Sequence, residues 1–141
     1  MNENKLKHLE FIQNVITRMN ANSFMIKGWM ATLVSALLAL AAKDADLRFL
    51  IIAFFPIPFF WVLDAYYLSQ ERQFRGLYNS VRVKAEKEID FSMKASEFAK
   101  GDNTWFNTFT SKTLAWFYLP IVALLFLIIA FIKYVPLGKG A

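Results

Sequence analysis

The chain has 141 residues, of which 57% are hydrophobic and 17% aromatic, and it carries a net charge of +5. It contains no cysteine, which excludes disulfides, thiolate catalysis and cysteine-ligated metals. Its excess positive charge lies beside long apolar runs. That placement indicates membrane topology and contact with anionic headgroups rather than nucleic-acid binding.

Long apolar runs dominate the chain. A helix needs about 20 apolar residues to cross a membrane core about 30 Å thick, and lipid offers backbone polar groups no partner outside the helix. The sequence therefore predicts an all-α integral membrane protein that forms one domain over residues 1–141. The predicted elements are an N-terminal amphipathic helix at 1–26, transmembrane helices at 24–42, 47–69 and 113–135, and a cytoplasmic helical segment at 70–112.

The basic residues are distributed unevenly along the chain. Of the 16 lysines and arginines, all but Lys43, Arg48, Lys133 and Lys139 lie before or at the start of the first span or between the second and the third. Positive residues concentrate in cytoplasmic segments. We therefore expect a multi-pass membrane protein with its N-terminus in the cytoplasm and its C-terminus on the opposite side of the membrane.

The first predicted span is rich in small residues, which let helix backbones approach closely in lipid. They form two ladders at four-residue spacing, Gly28/Thr32/Ala36 and Ala31/Ser35/Ala39. The preceding amphipathic helix carries an apolar stripe of Leu9, Ile12, Ile16 and Met19. We expect these residues to form the subunit interface of a homo-oligomer. In the alternatives, the ladders accommodate the phenylalanine-rich second span of the same chain, and the N-terminal helix lies on the membrane surface.

Prolines interrupt the second predicted span, and Pro56 and Pro58 are expected to bend it. Apolar residues at helical spacing follow the span, which predicts that it continues as one long helix. After a break at 89–92, Asp90 or Ser92 is expected to cap a second helix that ends at Ala99. Residues 101–103 are expected to form a turn.

Asp64 is an acidic residue inside a predicted span. The short loop folds the first two spans into a hairpin about Ala45, and Lys27 and Asp64 lie at nearly equal distances from that point. We therefore expect Lys27 and Asp64 to form a structural ion pair near the cytoplasmic interface. A carboxylate balanced by Arg72 and water is a second structural interpretation. A role in handling protons or ions is the functional alternative.

Residues that would support catalysis or metal binding are scarce. His8 is the only histidine and has only Glu3 and Glu10 nearby, so we expect a solvated helix residue rather than a metal ligand. The sequence contains no phosphate-binding loop, dinucleotide fingerprint, hydrolase elbow or zinc-protease motif. It therefore predicts a non-enzymatic protein without a cofactor or metal.

Several segments resemble a family of small bacterial proteins, the RipA-like octameric inner-membrane proteins. The matching segments are 9–19, 22–24, 27–29, 60–67 and 71–75. The resemblance implies a homo-oligomer, an octamer by the family's name, in the cytoplasmic (inner) membrane of a bacterium, where the C-terminus would lie in the periplasm. In one branch the family is linked to intracellular survival of a pathogen. The span hairpin followed by a cytoplasmic helix is also similar to small membrane effectors of bacterial anti-phage systems.

These features predict a homo-oligomeric assembly whose cytoplasmic helices form a collar for scaffolding or docking, in envelope or host-survival functions. Its expected partners are copies of itself, membrane lipids with anionic headgroups and a cytoplasmic protein, but no nucleic acid. The alternative is a channel or pore-forming effector, for example in anti-phage defence, with Thr32, Ser35, Asp64 and Ser69 as candidate lining residues. A small transporter component is a third interpretation, disfavoured because the sequence has no internal repeat.

Overall fold

Helices and short turns make up the chain in this computed structural model, which describes residues 2–44 and 46–134. The α-helices are α1 (Glu3–Asp44), α2 (Leu47–Ala53), α3 (Pro56–Val83), α4 (Trp105–Phe109) and α5 (Lys112–Tyr134), with 3-10 turns at Glu86–Glu88, Ser96–Phe98 and Gly101–Asn103. The predicted all-helical fold is confirmed for the described residues. Three stretches, α1, α2–α3 and α5, are long and apolar enough to cross a membrane. Ala45, Val135 and Lys139, which the sequence predictions used, lie outside the described residues.

The predicted amphipathic helix and the first predicted span form one helix. α1 is 42 residues long, or about 63 Å at 1.5 Å per residue. Its buried residues recur every three or four positions and therefore form a single stripe: His8, Ile12, Ile16, Ser23, Ile26, Met30, Val34 and Ala41. This stripe packs along α2 and α3 from one end of α1 to the other. The alternative in which the N-terminal helix lies on a membrane surface is therefore wrong.

A proline separates α2 from α3. α2 ends at Ala53, and a turn at Phe54 and Phe55 leads to Pro56, the first residue of α3. Proline is well suited to this position because the first turn of a helix has no intrahelical use for its N–H group. The predicted bend is thus a complete break. Beyond it α3 runs to Val83 without interruption, which confirms the long continuous helix.

Asp46 is the N-cap residue of α2. Its carboxylate accepts a hydrogen bond of 2.9 Å from the Arg48 backbone N–H, and the Arg48 guanidinium Nη2 lies 2.7 Å from its Oδ2. These hydrogen bonds hold the pKa of the Asp46 carboxyl below its usual value. The side chain thereby caps the N-terminus of α2, where a negative charge is favourable.

Two hydrophobic cores lie one after the other along the paired helices α1 and α3. The first lies in what we call the apolar bundle, which comprises α1 from residue 24, α2, α3 to residue 69 and α5. Its buried residues are Met30, Val34, Ala53, Ile57, Ala65, Leu68, Leu114, Tyr118 and Leu125. The second core lies in the stalk, which we define as residues 3–22, 70–83 and 84–104. Its buried residues are Ile12, Ile16, Leu77, Val81, Ile89 and Ala95.

Residues 84–104 cover the end of the α1–α3 pair without forming a second α-helix, so the predicted helix through Ala99 is wrong. Phe91 adopts a left-handed backbone conformation, with φ of 56°, which an α-helix does not allow. The Asp90 carboxylate accepts a hydrogen bond of 3.1 Å from the Ser92 backbone N–H. The Ser92 hydroxyl accepts one of 3.2 Å from the Lys94 backbone N–H. Both side chains therefore close local turns. The turn predicted at 101–103 is confirmed.

Burial in the stalk core corrects part of the predicted oligomer interface. Ile12 and Ile16 are 0% and 4% exposed because α3 and the segment 84–104 cover them. They have no surface left for a second copy, and that prediction is wrong for both. Leu9 is half-buried and packs against the same core, and Met19 is also half-buried.

Lys5 ties the beginning of α1 to the end of α3. Its ammonium donates hydrogen bonds to the backbone carbonyls of Arg82, at 3.1 Å, and Lys84, at 2.8 Å. A cation near the last turn of a helix satisfies free carbonyls and opposes the negative end of the helix dipole. Lys5 therefore holds the first turn of α1 against the C-terminal end of α3.

The contact between Phe98 and Gly76 holds residues 84–104 against α3, and it gives a first prediction. A Cβ at residue 76 would lie 2.9 Å from Phe98 Cβ. Alanine favours a helix interior by about 1 kcal/mol over glycine, so Gly76→Ala would stabilise α3 if nothing packed there. We expect this substitution instead to displace Phe98 and to accelerate trypsin cleavage within 84–104.

Asn79→Ala, at an exposed position of α3, is the control, since it raises the helix propensity of α3 without adding atoms against residues 84–104. Its cleavage rate should equal that of the unmodified protein. An unchanged rate in Gly76→Ala as well would show that the segment does not pack against α3 as described.

Candidate functional site

Asp64 lies on the buried face of α3, and its side chain is 0% exposed. A charged carboxylate among apolar helices is costly unless other groups pair with it and donate hydrogen bonds to it. The site is therefore defined by the donors that surround this one side chain.

α1 supplies two of those donors. Ser23 and Lys27 are four residues apart and so lie on the same face of the helix. The Lys27 ammonium is 2.6 Å from Asp64 Oδ2, so the structure brings together the two residues that the sequence predicts to pair. The Ser23 hydroxyl donates to Asp64 Oδ1 at 2.5 Å and accepts a hydrogen bond of 2.9 Å from Lys27. Two polar contacts to Asp64 therefore join α1 to α3, and the hydrogen bond from Lys27 to Ser23 links these two contacts within α1.

α5 supplies the third donor. The Tyr118 hydroxyl lies 2.9 Å from Asp64 Oδ2 and 3.3 Å from the Phe60 carbonyl. A hydroxyl has one hydrogen, and the nearer, charged acceptor is the stronger one. One carboxylate therefore connects all three long apolar stretches. We call Ser23, Lys27, Asp64 and Tyr118 the polar cluster.

A stack of aromatic rings fixes the position of α5 beside the polar cluster. Trp61 stacks on Tyr118 with ring centroids 5.1 Å apart and on Phe109 at 5.0 Å, and Trp105 stacks on Phe109 at 5.2 Å. The Trp61 indole N–H donates to the Phe109 carbonyl at 3.0 Å. On another side, the Lys27 ammonium lies 5.7 Å from the ring centre of Phe117, where a cation is attracted to the ring face.

The chemistry open to the polar cluster is limited by how completely its groups are paired. The Asp64 carboxylate accepts from three donors, and the Lys27 ammonium balances its charge. Among the described residues, no second carboxylate takes part in these contacts, so the polar cluster offers no pair of acids across which a proton could be relayed. Ser23 has no imidazole partner that would make it a nucleophile. The arrangement suits a structural connection, and the proton- or ion-handling role stays a prediction.

Sequence reasoning missed Ser23 and Tyr118. The spacing of Ser23 and Lys27, one helical turn apart, was a usable signal once Lys27 was assigned to Asp64. Tyr118 offered no comparable signal. Its depth relative to Asp64 depends on the path of residues 84–111, which the sequence pattern does not determine.

The small-residue ladders lie on the side of α1 that faces away from α3. All six residues are exposed: Gly28, Ala31, Thr32, Ser35, Ala36 and Ala39. α1 instead contacts the second apolar stretch through its buried stripe, including Met30 and Val34. The alternative in which the ladders accommodate the second span of the same chain is therefore wrong.

The candidate lumen residues are divided between the inside and the outside of the chain. Asp64 and Ser69 are 0% and 1% exposed, and the Ser69 hydroxyl donates to the Tyr66 carbonyl at 2.9 Å. Thr32 and Ser35 are exposed, although the Thr32 hydroxyl donates to the Gly28 carbonyl in its own helix. Only two of the four therefore face outward.

His8 is buried, contrary to the sequence prediction. It was expected to be solvated, yet it is 4% exposed, and its ring meets Phe91 edge to face at 5.5 Å. His8 lies four residues before Ile12, so the periodicity of α1 places it on the buried stripe, whereas its cover by the segment 84–104 has no signal in that periodicity.

No family model, curated protein or solved structure matches the chain. The resemblance to RipA-like proteins stays a prediction that depends on the matching segments alone.

A double-mutant cycle measures the connection between α1 and α3. Breaking a fully buried ion pair costs about 3–5 kcal/mol, but the Lys27 side chain is 20% exposed and reaches the bundle edge. We therefore expect Asp64→Asn to lower the free energy of unfolding in detergent by roughly 2–3 kcal/mol. Lys27→Met should lower the free energy of unfolding further, because it leaves the charge of Asp64, the more deeply buried partner, without a counter-charge. The double variant should cost less than the sum, by roughly 1–3 kcal/mol.

The exposed pair of Glu3 and Lys7, 2.8 Å apart, is the control. The same cycle there should show no measurable coupling, as is usual for solvated pairs. Additive costs at Lys27 and Asp64 would mean that the two charges do not depend on each other.

Proposed function

We propose that this chain is a multi-pass membrane protein that assembles with copies of itself and acts as a scaffold or docking platform. The observation that carries the proposal is the outward position of the small-residue ladders on α1. Association of helices in lipid depends on close backbone approach, which ladders of glycine, alanine, serine and threonine allow. Because the chain leaves this face uncovered, it is available to α1 of a second copy.

The thin packing of the apolar helices within one chain supports the same proposal. In the most apolar stretch of α5, 11% of the residues are buried inside the chain, and the corresponding shares for α1 and α2–α3 are 22% and 28%. Lipid or further copies must cover the rest. Phe24 and Trp29, 79% and 64% exposed, flank Gly28 on α1 and leave a groove at that position.

In this proposal the apolar bundle spans the membrane and the stalk projects from it on the cytoplasmic side. Basic residues concentrate in the stalk and beside it, so the positive-inside rule supports a cytoplasmic stalk and N-terminus. The proposal that the membrane is a bacterial inner membrane follows from the resemblance to RipA-like proteins. The polar cluster then lies near the cytoplasmic side of the bilayer. Trp105 and Phe106 of α4, 39% and 66% exposed, suit the headgroup layer at that level.

The stalk is the proposed collar. Outside the apolar bundle, lipid does not cover apolar side chains, yet the stalk exposes Leu6, Phe11 and Phe91 by 46%, 60% and 44%. Neighbouring stalks in a ring, or a cytoplasmic protein docked on the ring, would cover these side chains. An octamer, which the resemblance to RipA-like proteins implies, is compatible with this arrangement, and a role in envelope or host-survival functions follows from that resemblance alone.

Two substitutions on the ladders test self-association. Ala31→Leu with Ser35→Leu adds bulk where helix backbones would approach, and we expect the detergent-solubilised protein to fall from oligomer to monomer in mass measurements. Both positions are exposed, so the fold of the single chain should survive, with unchanged helix content in circular dichroism.

Ala123→Leu on an exposed position of α5 is the control for added bulk on a lipid-facing surface, and it should leave the oligomer intact. Full oligomeric mass in the ladder variant would rule out α1 as the subunit interface. Dye release from proteoliposomes of the unmodified protein would instead support the channel or pore-forming function and reject the scaffold.

A further inference from the structure

A polar pocket lies where the stalk meets the apolar bundle, between α3 and the start of α5. Its volume is about 690 Å³, and its lining includes Arg72, Asp102, Asn107, Thr110, Ser111 and Lys112. The pocket is separate from the polar cluster and contains none of its residues. Its two basic side chains come from different helices, so the fold rather than the local sequence brings them together.

Hydrogen-bond donors in the pocket have capacity left. Arg72 uses its Nη1 to donate to the Asp102 carbonyl at 2.9 Å, which leaves other N–H groups of a five-donor guanidinium. The Ser111 hydroxyl oxygen is buried and finds no hydrogen-bond partner among the described residues. Lys112 forms no ion pair with the described carboxylates. The Asp102 carboxylate opposes these charges, and one net positive charge remains in the pocket.

The position of the pocket relative to the apolar stretches of α3 and α5 indicates what can bind there. α5 begins at Lys112 and becomes apolar directly afterwards, and Arg72 lies about two helical turns beyond Asp64 on α3. Trp105 and Phe106, exposed on the neighbouring α4, are aromatic side chains of the kind found among lipid headgroups. If the bundle spans the bilayer, the pocket opens where phospholipid phosphates lie.

We propose that this pocket binds the phosphodiester headgroup of a membrane phospholipid. Arg72 offers the forked donors that match phosphate oxygens, and Lys112 adds a second positive charge. The first turn of α5, a helix of 23 residues, adds backbone N–H groups and the positive end of its dipole. A free phosphate compound has the same chemistry, but the adjacent aromatic side chains and the start of α5 favour a lipid. The proposal requires the membrane insertion proposed above but not self-association.

Lipid retention tests the site directly. The purified protein is titrated in detergent with phosphatidylglycerol, and bound lipid is counted by native mass spectrometry. Arg72→Gln with Lys112→Gln should weaken lipid binding by about tenfold or more, since each basic residue at a membrane surface contributes substantially to headgroup attraction. Lys112→Gln alone should give part of the loss. Because Lys112 forms none of the described ion pairs, this variant keeps the test informative if Arg72→Gln disturbs the contact with Asp102.

The control variant, Lys87→Gln with Lys100→Gln, removes the same charge from exposed positions outside the pocket and should bind lipid normally. Equal lipid binding by the pocket and control variants would overturn the proposal. Displacement of the lipid by inorganic phosphate at equal concentration would overturn it too, because the ligand would then be a soluble phosphate. Retention of the lipid in that competition supports the phospholipid.

Discussion

A carboxylate buried among apolar helices must find its partners inside the protein, because the apolar side chains around it offer none. Asp64 meets this constraint by taking one donor from α5 and two from α1, and the ammonium of Lys27 balances its charge. The requirement sets the register of all three long apolar stretches. A slip of one helical turn in any of them would leave a buried polar atom without a partner, which costs about 1–3 kcal/mol.

The same arrangement assigns separate tasks to the two faces of α1. One face carries the buried stripe, which packs against α3 in the stalk and in the apolar bundle. The opposite face carries the small-residue ladders and contacts nothing in the chain around Gly28. A face with no role in the fold of one chain is free to evolve as a contact between copies, and self-association is therefore proposed for the ladders and not for the stripe.

The sequence predicts those features that depend on local periodicity or on the geometry of a tight hairpin. The long apolar helices and the pairing of Lys27 with Asp64 belong to this group, whereas the bend expected at Pro56 and Pro58 is a break before Pro56. The contact of Phe91 with His8 and the role of Tyr118 do not, since both depend on the irregular path of residues 84–111. That path is held by tertiary contacts such as Phe98 on Gly76, for which a linear pattern gives no signal.

The contact between the Lys27 ammonium and the Asp64 carboxylate is the most direct test of this account. It is the only lysine–aspartate ion pair among the described residues, so solid-state NMR of protein with ¹⁵N-labelled lysine and ¹³C-carboxylate-labelled aspartate in lipid bilayers isolates it. The account predicts strong dipolar dephasing between Nζ and the carboxylate carbon, and its loss in Asp64→Asn. Dephasing that is absent from the unmodified protein in bilayers would contradict the claim that this pair holds the helices in register.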